Sequence, residues 1–250
     1  YGTSYYYRGN VTNNYVKFGD YYWRIIRING DGSIRIIYDG TSAQANGESS
    51  TDRQVGTSAY NSSYNDNAYV GYMYGTVGAS TYDATHANDN DSTIKTYLDS
   101  WYKTNIEDKG LSSYVSDTLF CNDRSISSNK PGSSYTNSGV GMEATAYRWY
   151  YSSWGSSSSS RQYPRLTCSQ QNDRFTVDDE VTGNGDLTYP IGLVTTDEVV
   201  LAGGYNTSNL GYYLYTGNTY WTMSPSHFNG SAAFVRTVVS SGNMLSSGVN

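Results

Sequence analysis

Apolar residues in this chain fall in short runs between long polar stretches, and the clearest pair lies near the start. Tyr22-Trp23-Arg24-Ile25-Ile26-Arg27-Ile28 precedes Asn29-Gly30-Asp31-Gly32, and Ser33-Ile34-Arg35-Ile36-Ile37-Tyr38 follows. Asn-Gly and Asp-Gly accept the positive φ that tight hairpin turns require, so these runs predict an antiparallel hairpin. Trp23, Ile25 and Arg27 alternate with Arg24, Ile26 and Ile28, so both faces of the first strand carry apolar side chains. A strand of that kind belongs in the middle of a sheet. Upstream, residues 5–8 and 15–18 are aromatic runs divided by Gly9-Asn10 and Asn13-Asn14, and they read as strands joined by a turn.

The pattern changes to a helical period twice. Across residues 92–106, Ile94, Leu98, Trp101, Tyr102 and Asn105 approximate one helical stripe, with Asp91 or Ser92 as cap and Gly110 beyond the end. Its Trp and Tyr read as core rather than as a binding surface. Residues 193–203 carry stronger signals. Thr195 and Glu198 form a capping box, Val194 and Val199 a hydrophobic staple, and Gly203 a left-handed stop. Asp197 and Glu198 complement the positive end of the helix dipole, which gives this acidic pair a structural rather than catalytic reason.

Other stretches are less regular. Residues 41–91 are polar, with 69–74 as their one predicted strand, and residues 112–121 end in a short strand entering a loop. A loop that long is either functional or covers something. Residues 127–138 and 152–160 are low in complexity. The aromatics of 144–151 either pack under the fold or lie partly exposed. Toward the end, 212–215, 220–223 and 234–239 read as strands, punctuated by Gly217-Asn218 and Gly242-Asn243. With no internal repeat and no linker, the simplest organisation is one α+β domain over residues 1–250, with polar insertions at about 41–91 and 125–165.

Composition adjusts this picture. Hydrophobic residues are 37% and charged residues 15% of the 250, while there are 28 tyrosines. A disordered chain is rich in charge and poor in aromatics, so this one folds, with Tyr supplying core that Leu and Ile supply elsewhere. A net charge of −6 argues against nucleic acid as a partner, because that needs a basic face, and against docking on anionic membranes. The sequence opens at Tyr1 rather than Met and carries no signal peptide or membrane span, the pattern of a processed protein or an excised ectodomain. Two cysteines, Cys121 and Cys168, fit an exported protein with one disulfide, and two separate buried thiols are the alternative.

Candidate chemistry is sparse. Ser224, Ser226 and His227 sit together, but adjacent Ser and His in a polar stretch lack the carboxylate and oxyanion hole of a triad. Asp89-Asn90-Asp91, Asp178-Asp179-Glu180 and Asn184-Gly185-Asp186 are oxygen-rich, so a structural calcium ion is the one cofactor they could hold, though none has EF-hand spacing. Solvated loop acids are the plainer account. The stronger candidate is a contact surface. Residues 224–231 read as an exposed loop between two core strands, and Tyr, Ser, Asn and Gly are the residues that antibody loops use for adaptable binding.

Several segments together resemble a known group. They are the Tyr-Trp-Arg-Ile-Ile-Arg-Ile strand, the helix from Asp91 to Tyr102, Phe120-Cys121-Asn122-Asp123-Arg124, the run from Tyr189 to Glu198, and Tyr220-Trp221-Thr222-Met223-Ser224-Pro225. The chain resembles uncharacterised exported bacterial domains, of a type common in gut Firmicutes, in the C-type-lectin-like superfamily. That superfamily includes formylglycine-generating-enzyme-like domains and the variable proteins of diversity-generating retroelements. The resemblance implies a twisted antiparallel sheet with two main helices and long loops, with a ligand face around the Trp-x-x-Ser-Pro segment. The calcium-and-sugar signatures Glu-Pro-Asn and Gln-Pro-Asp are absent, and the cysteines do not match a formylglycine-generating site.

The expectation is therefore a cell-surface or secreted adhesin-like domain, not an enzyme, that binds an unknown protein or glycan. Ser226, His227, Phe228, Asn229, Ser231 and Asn243 form the expected contact face, with Trp221 supporting it from below. The alternatives are self-assembly as a subunit of a pilus or surface filament, and a formylglycine-generating-enzyme-like catalyst with a free cysteine.

Overall fold

A computed structural model of the chain describes residues 2–129, 131–150, 163–205 and 209–250. The low-complexity run 152–160 lies outside the described residues.

Two four-stranded antiparallel sheets carry the architecture. The first is built on β3 (Tyr21–Ile28), which pairs along one side with β4 (Ile34–Gly40). Its other side is shared by β1 (Tyr5–Tyr6) and β2 (Tyr15–Phe18). The predicted hairpin and the central place of its first strand are both present. The two upstream strands are present as well, but they pair with β3 and not with each other. Tyr5 lies opposite Ile28 at one end of β3, and Tyr15 opposite Arg24 further along.

The second sheet runs in the order β12 (Met244–Gly248), β11 (Ala233–Val238), β10 (Tyr220–Phe228) and β8 (Thr145–Ala146). Two small ladders complete the strands. β5 (Met73–Tyr74) pairs with β6 (Asn90–Asp91), and β7 (Phe120–Cys121) with β9 (Arg174–Phe175). Of the predicted strand at 69–74, only Met73–Tyr74 is strand; residues 69–70 end a 3-10 turn, Asn67–Val70, and 71–72 are a bend. No strand forms over 212–215, where Tyr212 and Tyr213 are fully buried in irregular chain.

There are three α-helices among the described residues. The short α1 (Tyr82–His86) was not predicted. Helix α2 (Thr93–Tyr102) starts at Ser92, whose side chain accepts from the Lys95 amide, and it runs on into a π-helical turn. Helix α3 (Thr196–Ala202) has the complete Thr195–Glu198 capping box and ends at Gly203 with φ 109°. A side chain there would be strained, so Gly is the residue that stops this helix. No helix among the described residues is long and apolar enough to cross a membrane.

The core has two parts, and the second sheet feeds both. Ile94 and Leu98 of α2 pack with Tyr60, Tyr72, Met223 and Phe228. Val199 and Val200 of α3 pack with Ile26, Trp149, Tyr213 and Val238. Aliphatic side chains are few, so buried ion pairs join the elements as well. Arg24 and Arg53 share Asp39, Arg27 and Arg35 share Glu198, Arg124 meets Asp173, and Arg148 meets Asp197. Each guanidinium in these sites meets a carboxylate, which is what keeps a buried ion from being prohibitively costly. The Cys121–Cys168 disulfide closes a segment that includes β8 across 47 residues and leaves no free cysteine. A covalent loop of that length is worth about 4 kcal/mol by chain entropy.

Candidate functional site

The predicted contact face does not exist as one surface. Residues 224–228 are strand, not loop, because β10 continues through Phe228. Ser226 and Phe228 are fully buried, and Phe228 belongs to the core around α2. The serine hydroxyls of this strand are satisfied internally. Ser224 Oγ accepts from the Thr196 amide at 3.0 Å, and Ser226 Oγ lies 2.6 Å from Ser246 Oγ. The exposed part is only the turn at 229–232, where Asn229 Oδ1 accepts from the Ser231 and Ala232 amides. Ser231 also lies on this turn, whereas Asn243 lies in the turn joining β11 to β12. Those turns are at opposite ends of the six-residue β11, so about 20 Å separates them.

His227 is half-buried. Its ring stacks on Phe234 at 4.3 Å and meets Tyr150 edge-on at 4.7 Å. Burial, helped by the nearby Arg236 guanidinium, pushes its pKa down to about 4. It is therefore neutral at pH 7, and its Nδ1 meets the Ser226 hydroxyl at 3.1 Å. A buried hydroxyl beside so weak a base does not make an activated nucleophile, which needs an accessible Oγ and a base oriented by a third group. Asp197 and Glu198 are equally committed. Asp197 accepts from Arg148, from Trp149 Nε1 at 2.8 Å and from the Arg165 amide. Glu198 holds Arg27, Arg35 and its own capping box.

Of the oxygen-rich runs, Asn90–Asp91 forms β6 and Asp178-Asp179-Glu180 serves a turn. Asp179 accepts from the Val181 and Thr182 amides, and Asp117 accepts from the amides of residues 177–179. Among the described residues, no group of three His, Cys, Asp or Glu side chains is placed to hold a metal ion.

A different site forms along α2. Residues 55–62 run beside the helix and are fixed to it at several points. The Ser62 amide donates to Thr93 Oγ1 at 2.9 Å, the Ile94 amide to the Tyr60 carbonyl, and the Tyr97 hydroxyl to the Val55 carbonyl. Gly56 makes the last contact possible, since a Cβ there would sit 1.8 Å from the Tyr97 hydroxyl oxygen. From the other side, Trp221 Nε1 donates to the Ser58 carbonyl at 3.0 Å. Trp221 thus supports this wall rather than the terminal turn.

Wall and helix enclose an open groove of about 730 Å³. That is within the range of small-ligand sites, roughly 300–1,000 Å³. Thr96, Tyr97, Ser100, Trp101 and Thr104 of α2 and the turn after it line one side, and Ser58, Asn61 and Ser62 line the other. Trp101 was expected in the core with Tyr102. Only Tyr102 is buried there, together with Ile94, Leu98 and Ile106, while Trp101 stands on the flank. Its ring is held by Tyr21, Trp23 and Tyr38, with centroids 5.7, 6.1 and 5.8 Å away. The signal available in sequence was the polar face Thr93, Thr96, Ser100 and Thr104 beside two aromatics, on a helix followed and preceded by long polar chain.

Compared with family models, with curated proteins and with solved structures, the chain shows no match.

Proposed function

We propose that the chain is an extracellular, non-enzymatic binding module of adhesin type that takes its ligand along the α2 groove. The observation that carries this reading is the groove itself: a preformed concave surface with a fixed aromatic and polar walls, in a protein whose buried charged groups are largely tied into structural pairs. The disulfide supports an oxidising compartment, since such bonds persist outside the cytosol. It also engages both thiols that a formylglycine-generating chemistry would need free. Within this proposal the architecture is C-type-lectin-like, a reading supported by antiparallel sheets with two main helices and long connecting segments. The test is a binding array of glycans and extracellular proteins, probed with the native chain and with Thr96→Arg/Ser100→Arg, which fills the groove from exposed helix positions. The proposal expects at least one specific ligand whose binding the double variant abolishes. Ligands that bind both proteins equally would place the site elsewhere.

One feature favours self-assembly as a second reading. Tyr5, Ile28 and Ile34 lie side by side across β1, β3 and β4, and all three are exposed. An apolar row on a sheet end suits contact with a second copy. Sedimentation of native and Ile28→Lys/Ile34→Lys chains would show it as a concentration-dependent assembly lost in the variant, and a monomer at all concentrations would exclude it.

A further inference from the structure

The chemistry of the groove narrows the ligand class, if the groove is the binding face proposed above. We propose that it accepts a neutral oligosaccharide stacked on Trp101. Three independent features point there.

The first is charge. Among the described residues Asp91 is the one charged side chain in the groove lining, and its carboxylate already meets Lys95 Nζ at 3.1 Å. Lys95 is itself fully buried and also holds Asp99 at 2.7 Å. No arginine or lysine among the described residues lines the groove. Sulfated, phosphorylated or carboxylated ligands would therefore enter against a chain of net charge −6 with no cation to receive them.

The second is hydrogen-bond polarity. Thr96, Ser100 and Thr104 follow one another at intervals of four. Each hydroxyl donates to the carbonyl four residues back, at 3.3, 2.9 and 3.1 Å. Their protons are used, so each shows only lone pairs to the groove, a row of acceptors for ligand O–H groups. Facing them, Asn61 is 2% exposed and its Nδ2 has no hydrogen-bond partner. A buried donor left unpaired is costly, and Asn61 lines the groove, so a ligand oxygen there would give it the acceptor it lacks. A polyol supplies both complements, O–H donors for the hydroxyl row and an acceptor oxygen for Asn61. A peptide strand would need open backbone groups, but the wall's amides at Asn61 and Ser62 are already taken, by the Val249 carbonyl and Thr93 Oγ1.

The third is the aromatic platform. Trp101 is clamped on three rings and Tyr97 is tethered by its hydroxyl, so neither loses much freedom on binding. One face of a pyranose ring is a sheet of C–H groups, which suits the electron-rich face of an indole.

Calorimetry with four defined probes tests this. Three are neutral hexasaccharides, of β-1,4-linked glucose, β-1,4-linked N-acetylglucosamine and β-1,4-linked mannose. The fourth is a heparin hexasaccharide. The expected result is saturable binding of at least one neutral probe with Kd at or below about 1 mM, and none of heparin. Thr96→Arg/Ser100→Arg should abolish it, and Trp101→Ala should weaken it by about tenfold or more. Asn61→Ala adds a readout that does not depend on Trp101 folding. It should weaken binding by about fivefold while leaving the urea midpoint unchanged or higher, because the amide it removes has no partner in the free protein. Absence of binding by all three neutral probes, equal binding of heparin, or affinity unchanged in the arginine double variant would each overturn the inference. If the array instead yields a protein ligand blocked by that double variant, the groove stands as the binding face and only the sugar class falls.

Discussion

Glu198→Ala removes the joint between α3 and the first sheet. The Glu198 side chain is 2% exposed, and it receives Arg27 from β3 and Arg35 from β4, whose side chains are 14% and 7% exposed. The same carboxylate accepts from the Thr195 amide at 2.8 Å, closing the capping box. Truncation leaves two buried guanidiniums without their counter-charge, and breaking a buried pair in this way costs about 3–5 kcal/mol. Loss of the cap adds about 1 kcal/mol. The total, about 4–6 kcal/mol, rivals the whole stability of many domains, which is about 5–15 kcal/mol. The effect also has a pH signature. Burial would raise the Glu198 pKa, but Arg35, Arg27 and the Thr195 bonds outweigh it and hold the carboxyl below its ordinary value of 4.5. A depressed folded-state pKa gives stability that is complete above the unfolded value and fades as pH falls below it. The gap between native and variant should therefore be widest near pH 7 and shrink below pH 4.5. Urea unfolding of the oxidised protein measures it. Arg35→Met placed on top of Glu198→Ala should cost much less than Arg35→Met alone, since the two residues act as one unit. A Glu198→Ala penalty under about 1 kcal/mol at pH 7 would refute the joint, being no more than an exposed ion pair is worth.

Three further outcomes follow from the same structure. Replacing Cys121 and Cys168 by Ser should lower stability by about 4 kcal/mol, and an unchanged urea midpoint would contradict the native bridge. Phe228→Ala should cost about 3–5 kcal/mol as a core cavity, whereas a penalty below about 1 kcal/mol would restore Phe228 to the surface. Both histidines are held neutral by burial, His86 at about 3 and His227 at about 4, against 6.5 when unfolded. Below pH 6.5 the unfolded chain binds protons that the folded one refuses, so stability should fall from pH 6.5 toward pH 4. Each histidine contributes up to about 1.4 kcal/mol per pH unit. Asp99 and Asp173, whose pKa values burial raises, act in the opposite sense. His227→Gln should flatten the slope by about half, and an equal slope in both proteins would remove His227 from the account.

What the sequence made legible was local. The capping box, staple and glycine stop of α3 depend on neighbours within the helix, and all three positions fall where the pattern puts them. The β3–β4 hairpin likewise depends on a turn and an alternation. Long-range pairing was not legible. The two aromatic runs at 5–8 and 15–18 read as strands joined by a turn, but nothing in them named their partner, and β1 and β2 both pair along the free side of β3. The candidate site failed for a chemical reason. Ser224 and Ser226 look like surface, yet Thr196, Ser246 and their neighbours satisfy their hydroxyls inside the sheet. On α2 the stripe was right in phase, but one residue of helix is 100° of rotation, and that is the difference between buried Tyr102 and half-exposed Trp101. The wall at 55–62 gave no pattern at all, because its place is set by partners at Thr93, Tyr97, Trp221 and Val249.

The central claim is that this protein binds through the α2 groove and not through its terminal hairpin turns. Amide hydrogen exchange with and without an array-selected ligand tests it most directly, because the two surfaces lie on separate peptides. The account predicts ligand-induced protection across residues 56–62 and 93–105, with 229–232 and 240–243 unchanged. Protection confined to those two turns, with exchange along α2 unaltered, would contradict it.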